Sequence, residues 1–419
     1  MPSFKRTKFA CYAAYFTMSS IFSLPPLLFV TLQNTYGISY TLLGTLVLIN
    51  FCTQLTVDLI FTVFSKHFNA KKVVRIMPLI TSVGLLTYAL VPMLCPEFAY
   101  GGLVIGTVIF SISAGLSEVL LSPVIAAIPS KNPQRDMSLL HSLYAFGVFT
   151  VVVISTVFFK IFDTSDWMYL TMFFAALPVI AAVLFMTSPM PDMSAGGGEA
   201  TLSGTKRRAV GLALCVGCIF FGSCAENVMS NWISTYMENA LHIDKAMGDI
   251  LGMAAFAILL GLARIAYAKY GKNITRVLLC GMICAVICYV TVALVTNAAV
   301  AFVACILTGF VTSMLWPGTL IMMEEKLPGV GVAAFALMAA GGDLGASVAP
   351  QLMGIVVDNV KESARAIELA REWGLSPEQV GMKVGMLVTA IFPLLGVIVL
   401  LIAKRYFKNG RTAQKPPKI

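Results

Sequence analysis

Charge is what this 419-residue chain has least of: Asp, Glu, Lys and Arg together make up 12% of it, about half of the ~25% usual in soluble domains. So dilute a charge excludes an ordinary soluble enzyme, and a disordered tail would carry more charge and fewer apolar residues. Histidine is scarcer still, at 3 residues. Ten cysteines are present, yet nine lie inside apolar segments: Cys11, Cys52, Cys215, Cys218, Cys224, Cys280, Cys284, Cys288 and Cys305. Only Cys95 falls near an apparent loop. Cys215 and Cys218 read C-x-x-C, and Cys280, Cys284 and Cys288 share a helical stripe, but no histidine completes either set and an apolar medium opposes thiolates. They read as small hydrophobes at helix contacts, and no disulfide, metal site, redox centre or cofactor is expected. A phosphate loop is missing too, since Gly196-Gly197-Gly198 follows no strand and lacks the P-loop lysine. With no nucleophile–base constellation anywhere, an enzyme is not expected.

What the chain has is apolar length. Hydrophobic residues make 58% of it and the mean hydropathy is +0.87, the composition of a polytopic membrane protein. A helical crossing needs about 20 apolar residues, and runs such as 76–92 and 386–403 supply them almost without charge. A transmembrane barrel would instead alternate in segments of roughly ten. The pattern predicts an all-α fold with twelve transmembrane helices, at 9–32, 41–65, 73–94, 99–128, 137–161, 167–188, 209–236, 247–268, 275–296, 299–323, 332–357 and 382–403. The first stretch is too long for a signal-peptide core and no cleavage site follows it.

The net charge of +9 need not bind nucleic acid, because its location orients the chain. Of the 29 Lys and Arg residues, 22 fall in segments on one side of this topology, which the positive-inside rule makes the cytoplasm, with both termini there. The one sustained polar break, 191–208, divides the crossings six and six: an N-terminal half 1–190, a cytoplasmic linker 191–208 and a C-terminal half 209–419. Two six-helix halves of three-helix repeats are the architecture of major facilitator transporters, with the substrate site near the midplane between them. A second polar stretch, 359–381, lies outside on this topology. It predicts a short solvated helix over 361–373 stopped by Gly374, or a lid or partner site, with Ser376-Pro377-Glu378-Gln379 opening the last crossing.

Five ionisable residues lie deep in the crossings: Asp58, Glu118, Glu226, Arg264 and Asp343. Each costs roughly 2.5–3.5 kcal/mol at a helix centre on insertion scales, so each needs a partner, a water-filled cavity or a proton. Glu118, beside helix-breaking Pro123, is the candidate proton carrier, with Glu226 and Asp343 as further candidates. Each of those two can equally be half of an ion pair. Asp58 and Arg264 read as gating or ion-pair residues.

Hydrogen-bonding and aromatic residues mark the substrate candidates. Asn227, Ser230, Asn231 and Ser234 make one polar stripe at 3.6 residues per turn. Trp232 beside it offers a flat face for a sugar ring, while Tyr236 reads as an interfacial aromatic. His141 and Tyr144 are one turn apart, as are Asn50 and Gln54. Trp316-Pro317-Gly318 and Gly341-Gly342-Asp343-Leu344-Gly345, with Pro350 beyond, allow close helix approach and opened backbone, as gating helices require.

These residues resemble the fucose–galactose–glucose:proton symporter family of the major facilitator superfamily over nearly the whole chain. Glu118 with Pro123 is similar to that family's fourth-helix E-x-x-x-[NS]-P, whose acid is implicated in proton coupling. His141-Ser-Leu-Tyr144-Ala-Phe-Gly147 is similar to its fifth-helix [HQ]-x-x-[NYF]-x-x-G, which approaches sugar. The stretch from Ala225 and Glu226 through Trp232 to Tyr236 resembles its seventh-helix pattern, and Trp316-Pro317 its aromatic-Pro pair. The chain departs from the family at Pro26, where some members carry an aspartate. It also departs at Ser65-Lys66-His67-Phe68-Asn69-Ala70-Lys71-Lys72, where the superfamily's loop signature keeps its basic half and loses its acid. The resemblance implies a monomeric, proton-coupled carrier of a neutral monosaccharide in a bacterial inner membrane. Sugar would bind among Asn50, Gln54, His141, Tyr144, Asn227, Asn231, Trp232 and Trp316. The rival expectations are proton-driven efflux of amphipathic drugs, for which 22 methionines and 27 phenylalanines supply adaptable side chains, and a non-transporting membrane sensor of the same fold.

Overall fold

A computed structural model describes residues 4–64, 68–130, 133–191, 206–327 and 332–412. The linker at 192–205 and the loop residues 65–67 lie outside them. Long helices make up nearly all of the rest: α1 (Lys5–Leu27), α2 (Phe29–Tyr36), α3 (Tyr40–Phe64), α4 (Ala70–Leu94), α5 (Ala99–Ala127), α6 (Pro133–Ile161), α7 (Trp167–Met186) and α8 (Lys206–Asn239). A single turn α9 (Lys245–Met247) runs through a π-helical turn at Gly248–Ala254 into α10 (Ala255–Tyr270). There follow α11 (Ile274–Leu294), α12 (Ala298–Thr312), α13 (Pro317–Lys326), α14 (Val332–Lys361), α15 (Ala364–Trp373), α16 (Pro377–Thr389) and α17 (Ile391–Thr412). Among the described residues nine stretches are long and apolar enough to cross a membrane, and the bent pair α1–α2 makes a tenth. The helices α6 and α14, of 29 and 30 residues, also have the length.

The first predicted crossing is broken. Pro25 and Pro26 remove two backbone donors, so the carbonyls of Ile21 and Phe22 lose their helical partners. The Leu28 N–H closes a tight turn onto the Pro25 carbonyl at 3.0 Å, and α2 leaves at 49° to α1. The predicted tenth crossing is also two helices, because Pro317 opens α13 as its first residue. In the polar stretch α15 ends on Gly374 at φ 65°, and Ser376 and Gln379 close a reciprocal capping box that starts α16.

Two compact units emerge, and they do not follow the linker alone: one comprises Met1–Gly198 with Asn231–Ile258, the other Glu199–Ser230 with Leu259–Ile419. In the first unit α4 packs on α5 and α7, α1 on α6 and α7, α3 on α5, and the π-helical turn on α6. Its aromatic core places Tyr88 5.9 Å from Phe110 and 6.0 Å from Trp167, centroid to centroid. In the second unit α11 packs on α12, α16 and α17, and α14 on α16. Cys215 and Cys218 are buried there in an apolar cluster with Ile219, Met282, Leu315 and Met338.

Contact between α4 and α5 is close enough to demand glycine. A Cβ at Gly84 would stand 2.5 Å from the Phe110 backbone nitrogen, and one at Gly106 2.6 Å from that of Tyr88. Backbone cannot step aside as a flexible side chain can, so the helices must part. Gly84→Ala is expected to cost about 1–3 kcal/mol, as overpacking does, read as a lower thermal midpoint of the purified protein than for an alanine at Gly261, where a Cβ meets nothing within 4 Å.

Candidate functional site

A polar seam runs along the α3–α5 contact. Asn50, Gln54 and Asp58 recur every four residues and so share one face of α3. The Gln54 amide donates to Asn50 Oδ1 at 2.9 Å, and Ser111 Oγ of α5 donates to the same oxygen at 2.7 Å. One turn further along α5 the facing position is Gly115. A Cβ there would stand 3.2 Å from Asp58 Oδ1, so the missing side chain makes the slot this carboxylate occupies. Glu118 lies three residues beyond Gly115, on the same face of α5, and within electrostatic reach of Asp58. Among the described residues Asp58 takes no ion pair, and its Oδ1 is buried without a hydrogen-bond partner. Glu118 keeps accessible surface. Among the described residues no cation pairs with Asp58, and a second carboxylate lies within its electrostatic reach. Two carboxyls so placed repel when both are charged.

Beside the seam an aromatic group forms where α1, α3 and α6 meet: Phe22 lies 5.9 Å from Phe51 and 5.8 Å, edge to face, from Tyr144. Tyr144 is half-buried. The side chain of His141 lies outside the described residues.

The second unit has a different arrangement. Glu226 on α8 pairs with Arg264 on α10 at 3.3 Å. The Arg264 Nε donates to the Ser313 carbonyl at 2.9 Å. That acceptor exists because Pro317, four residues on, has no N–H to give it. One guanidinium thus closes a helix break and neutralises an intramembrane acid. Trp316, in the break itself, lies against α14, where a Cβ at Gly342 would meet its ring at 2.4 Å. Asp343 is buried on the adjoining position. The Asn227 amide turns back along its own helix to the Ser223 carbonyl and hydroxyl at 3.1 and 3.2 Å.

The sequence profile described as Major Facilitator Superfamily matches residues 9–350, well over half the chain. The chain belongs to the major facilitator superfamily. Its fold is similar to that of a bacterial homologue of the human lysosomal transporter Spinster, inward-facing and occupied, at 12% identity over 100% of both chains with a TM-score of 0.77. A D-xylose–proton symporter is similar over 93% of this chain and 96% of its own, at 14% identity and a TM-score of 0.74. The E. coli fucose:proton symporter FucP is similar over 94% and 99%, at 14% identity and 0.55. Likeness at such identities speaks of fold. No curated protein sequence matches the chain. It is a multi-pass membrane transporter rather than an enzyme.

In this superfamily member the expected polar stripe of the seventh crossing lies along one continuous helix, α8. Asn231 and Ser234 are buried on it, and Asn227 and Ser230 are half-buried. Trp232 differs from the expected open platform: it has no accessible surface, with Phe29 at 5.3 Å and Tyr40 at 5.7 Å. The reason is the α1 break, which carries Phe29 onto the indole. Tyr236 is likewise fully buried. Sequence reasoning missed the seam partners Ser111 and Gly115, and missed Glu238, Lys245 and Asp249 altogether. The i, i+4 spacing of Lys245 and Asp249 was the available signal for the last two.

Proposed function

We propose that this transporter takes up a neutral monosaccharide together with a proton by alternating access. The observation that carries the reading is the Asp58–Glu118 carboxylate pair on the α3–α5 seam. It has no described cation, and it continues directly into the amides of Gln54 and Asn50. A proton arriving from outside is shared by the carboxyls, lowering the charge of the pair from two to one, and the site then accepts a neutral polyol. In the first unit Asn50, Gln54, His141 and Tyr144 serve its hydroxyls and ring face. In the second Asn227 and Trp316 do the same. Glu226 and Arg264 stay charged and paired, and Asp343 is the further titrating candidate. The similar folds of a xylose and a fucose symporter support this substrate class. The basic asymmetry supports cytoplasmic termini, and a monomer in a bacterial inner membrane is the matching assembly.

The test is uptake of labelled hexoses and pentoses into proteoliposomes under an inside-alkaline pH gradient. Saturable accumulation, with competition confined to a few sugars, is the expected result. Flux of cationic dyes with none of any sugar would move the assignment to proton-driven drug efflux. Ligand binding without flux of either would make the protein a sensor.

A further inference from the structure

The richest polar cluster outside the seam sits in the first unit, where α8 ends and the eighth crossing begins. Lys245 Nζ donates to the Leu27 carbonyl at 2.7 Å. The same ammonium stands 3.4 Å from Asp249 Oδ2 and 3.8 Å from Glu238 Oε2. Asp249 is 1% exposed, and its other oxygen accepts from Ser234 Oγ. Leu27 ends α1, so its carbonyl is among the last four that no helical donor reaches. That acceptor is a product of the Pro25-Pro26 break. Around this contact Asn239 Nδ2 donates to Tyr40 Oη at 2.5 Å, and Phe29, the first residue of α2, covers Trp232. Asp249 belongs to the π-helical turn, a local geometry often kept at functional positions.

Three of these contacts, Lys245 with Leu27, Asn239 with Tyr40 and Trp232 with Phe29, join residues 231–258, which by chain order follow the linker, to helices that precede it. Among the described residues of the cluster, Lys245 alone touches the α1 break and both acids. Take the ammonium away and buried Asp249 and half-buried Glu238 are left as carboxylates with no described cation, while the Leu27 carbonyl loses its donor. Repulsion then pushes apart the elements that the ammonium held together. An ammonium is also a compact, flexible point charge that can release one partner at a time, as a contact made and broken in each cycle requires.

We propose that Lys245 is a positioning residue of the transport cycle: it latches the α1 break to Glu238 and Asp249, and its release frees α2 to move. On the topology proposed above the latch lies at the outer end of the pathway, so it holds that end shut while the inner end is used. This placement rests on the transport reading. The latch itself can be tested without any substrate.

The experiment is hydrogen–deuterium exchange of the full chain in nanodiscs, comparing wild type with Lys245→Met, Lys245→Arg and Asp249→Asn. Lys245→Met is expected to speed exchange of amides in 28–36 and 240–250 at least tenfold, leaving α4, α5 and α7 at wild-type rates. Lys245→Arg, which keeps the cation, is expected to stay within about twofold of wild type. Asp249→Asn removes one of the two facing acids and is expected to fall between them. A uniform rise throughout the first unit, or a rise in Lys245→Arg equal to that in Lys245→Met, would make Lys245 an ordinary packing residue and overturn the proposal, as would no change at 28–36. If exchange responds as expected while no sugar is accumulated by the wild type, the latch stands and the sugar assignment fails.

Discussion

Glu118→Gln is expected to abolish gradient-driven accumulation while sugar exchange across the same proteoliposomes continues. The argument is electrostatic and volumetric together. Glutamine has nearly the shape of a protonated glutamate, so the seam beside Gly115 and Asp58 keeps its packing. What is lost is the second carboxyl, and with it the ability to gain and lose a proton in each cycle. One pH unit corresponds to about 1.4 kcal/mol per proton. A carrier coupled to one proton can therefore hold roughly a tenfold sugar gradient across one unit of inside alkalinity, and an uncoupled one holds none. The accumulation ratio of Glu118→Gln should fall to unity, with entry of labelled sugar against internal unlabelled sugar retained. Asp58→Asn is the informative companion. If the two acids share one proton, that variant leaves Glu118 without its repelling neighbour and should weaken coupling less than Glu118→Gln does. Full accumulation by Glu118→Gln would remove the proton site from this seam.

Arg264→Met should destabilise the protein more than Glu226→Gln does, and the double variant should recover part of the loss. Methionine fills much of the arginine stem's volume but supplies no donor. Two acceptors are then stranded at once: the Glu226 carboxylate, held at 3.3 Å, and the Ser313 carbonyl, held at 2.9 Å. Stranding a buried acceptor costs about 1–3 kcal/mol, and Arg264 is 39% exposed on its side chain, so solvent offsets some of the charge term. Adding Glu226→Gln removes the stranded charge and leaves only the carbonyl, so a thermal double-mutant cycle should show coupling of opposite sign to the single losses. Arg264→Lys separates the two functions further. Its single ammonium can neutralise Glu226, but it lacks the planar fork that reaches two acceptors. Additive effects would show that Arg264 and Glu226 act independently, and the pair would then be no more than neighbours.

Much of this fold is legible in the chain before any coordinates. Apolar runs of about 20 residues lead to an all-helical, multi-pass transporter. The capping box at Ser376 and the stop at Gly374 can be read letter by letter, because caps are local and need only a few consecutive residues. The Pro25-Pro26 pair was equally visible. A proline pair says that a helix is interrupted, though it does not say what fills the vacancy.

Partnership is where sequence reading gave out. Asp58 and Glu118 are 60 positions apart in the chain, and only the packing of α3 on α5 makes them neighbours. From sequence, Asp58 asked for a cation, and the fold answered with an acid and a slot at Gly115. Trp232 had the composition of a sugar platform, yet a bend more than 200 residues earlier laid Phe29 across it. Lys245 carries no mark in the sequence beyond its spacing from Asp249, and in the fold Leu27, Glu238 and Asp249 close around it.

The sequence by itself determined the medium, the helices and the short set of intramembrane residues that must justify their cost. It could do so because burial of apolar surface and local hydrogen bonding depend on what a residue is and on its near neighbours. The tertiary structure alone decided which acid meets which: Asp58 with Glu118, Glu226 with Arg264, Lys245 with the broken end of α1. Electrostatic and hydrogen-bond energies fall off within a few ångströms in space, and distance along the chain does not enter them.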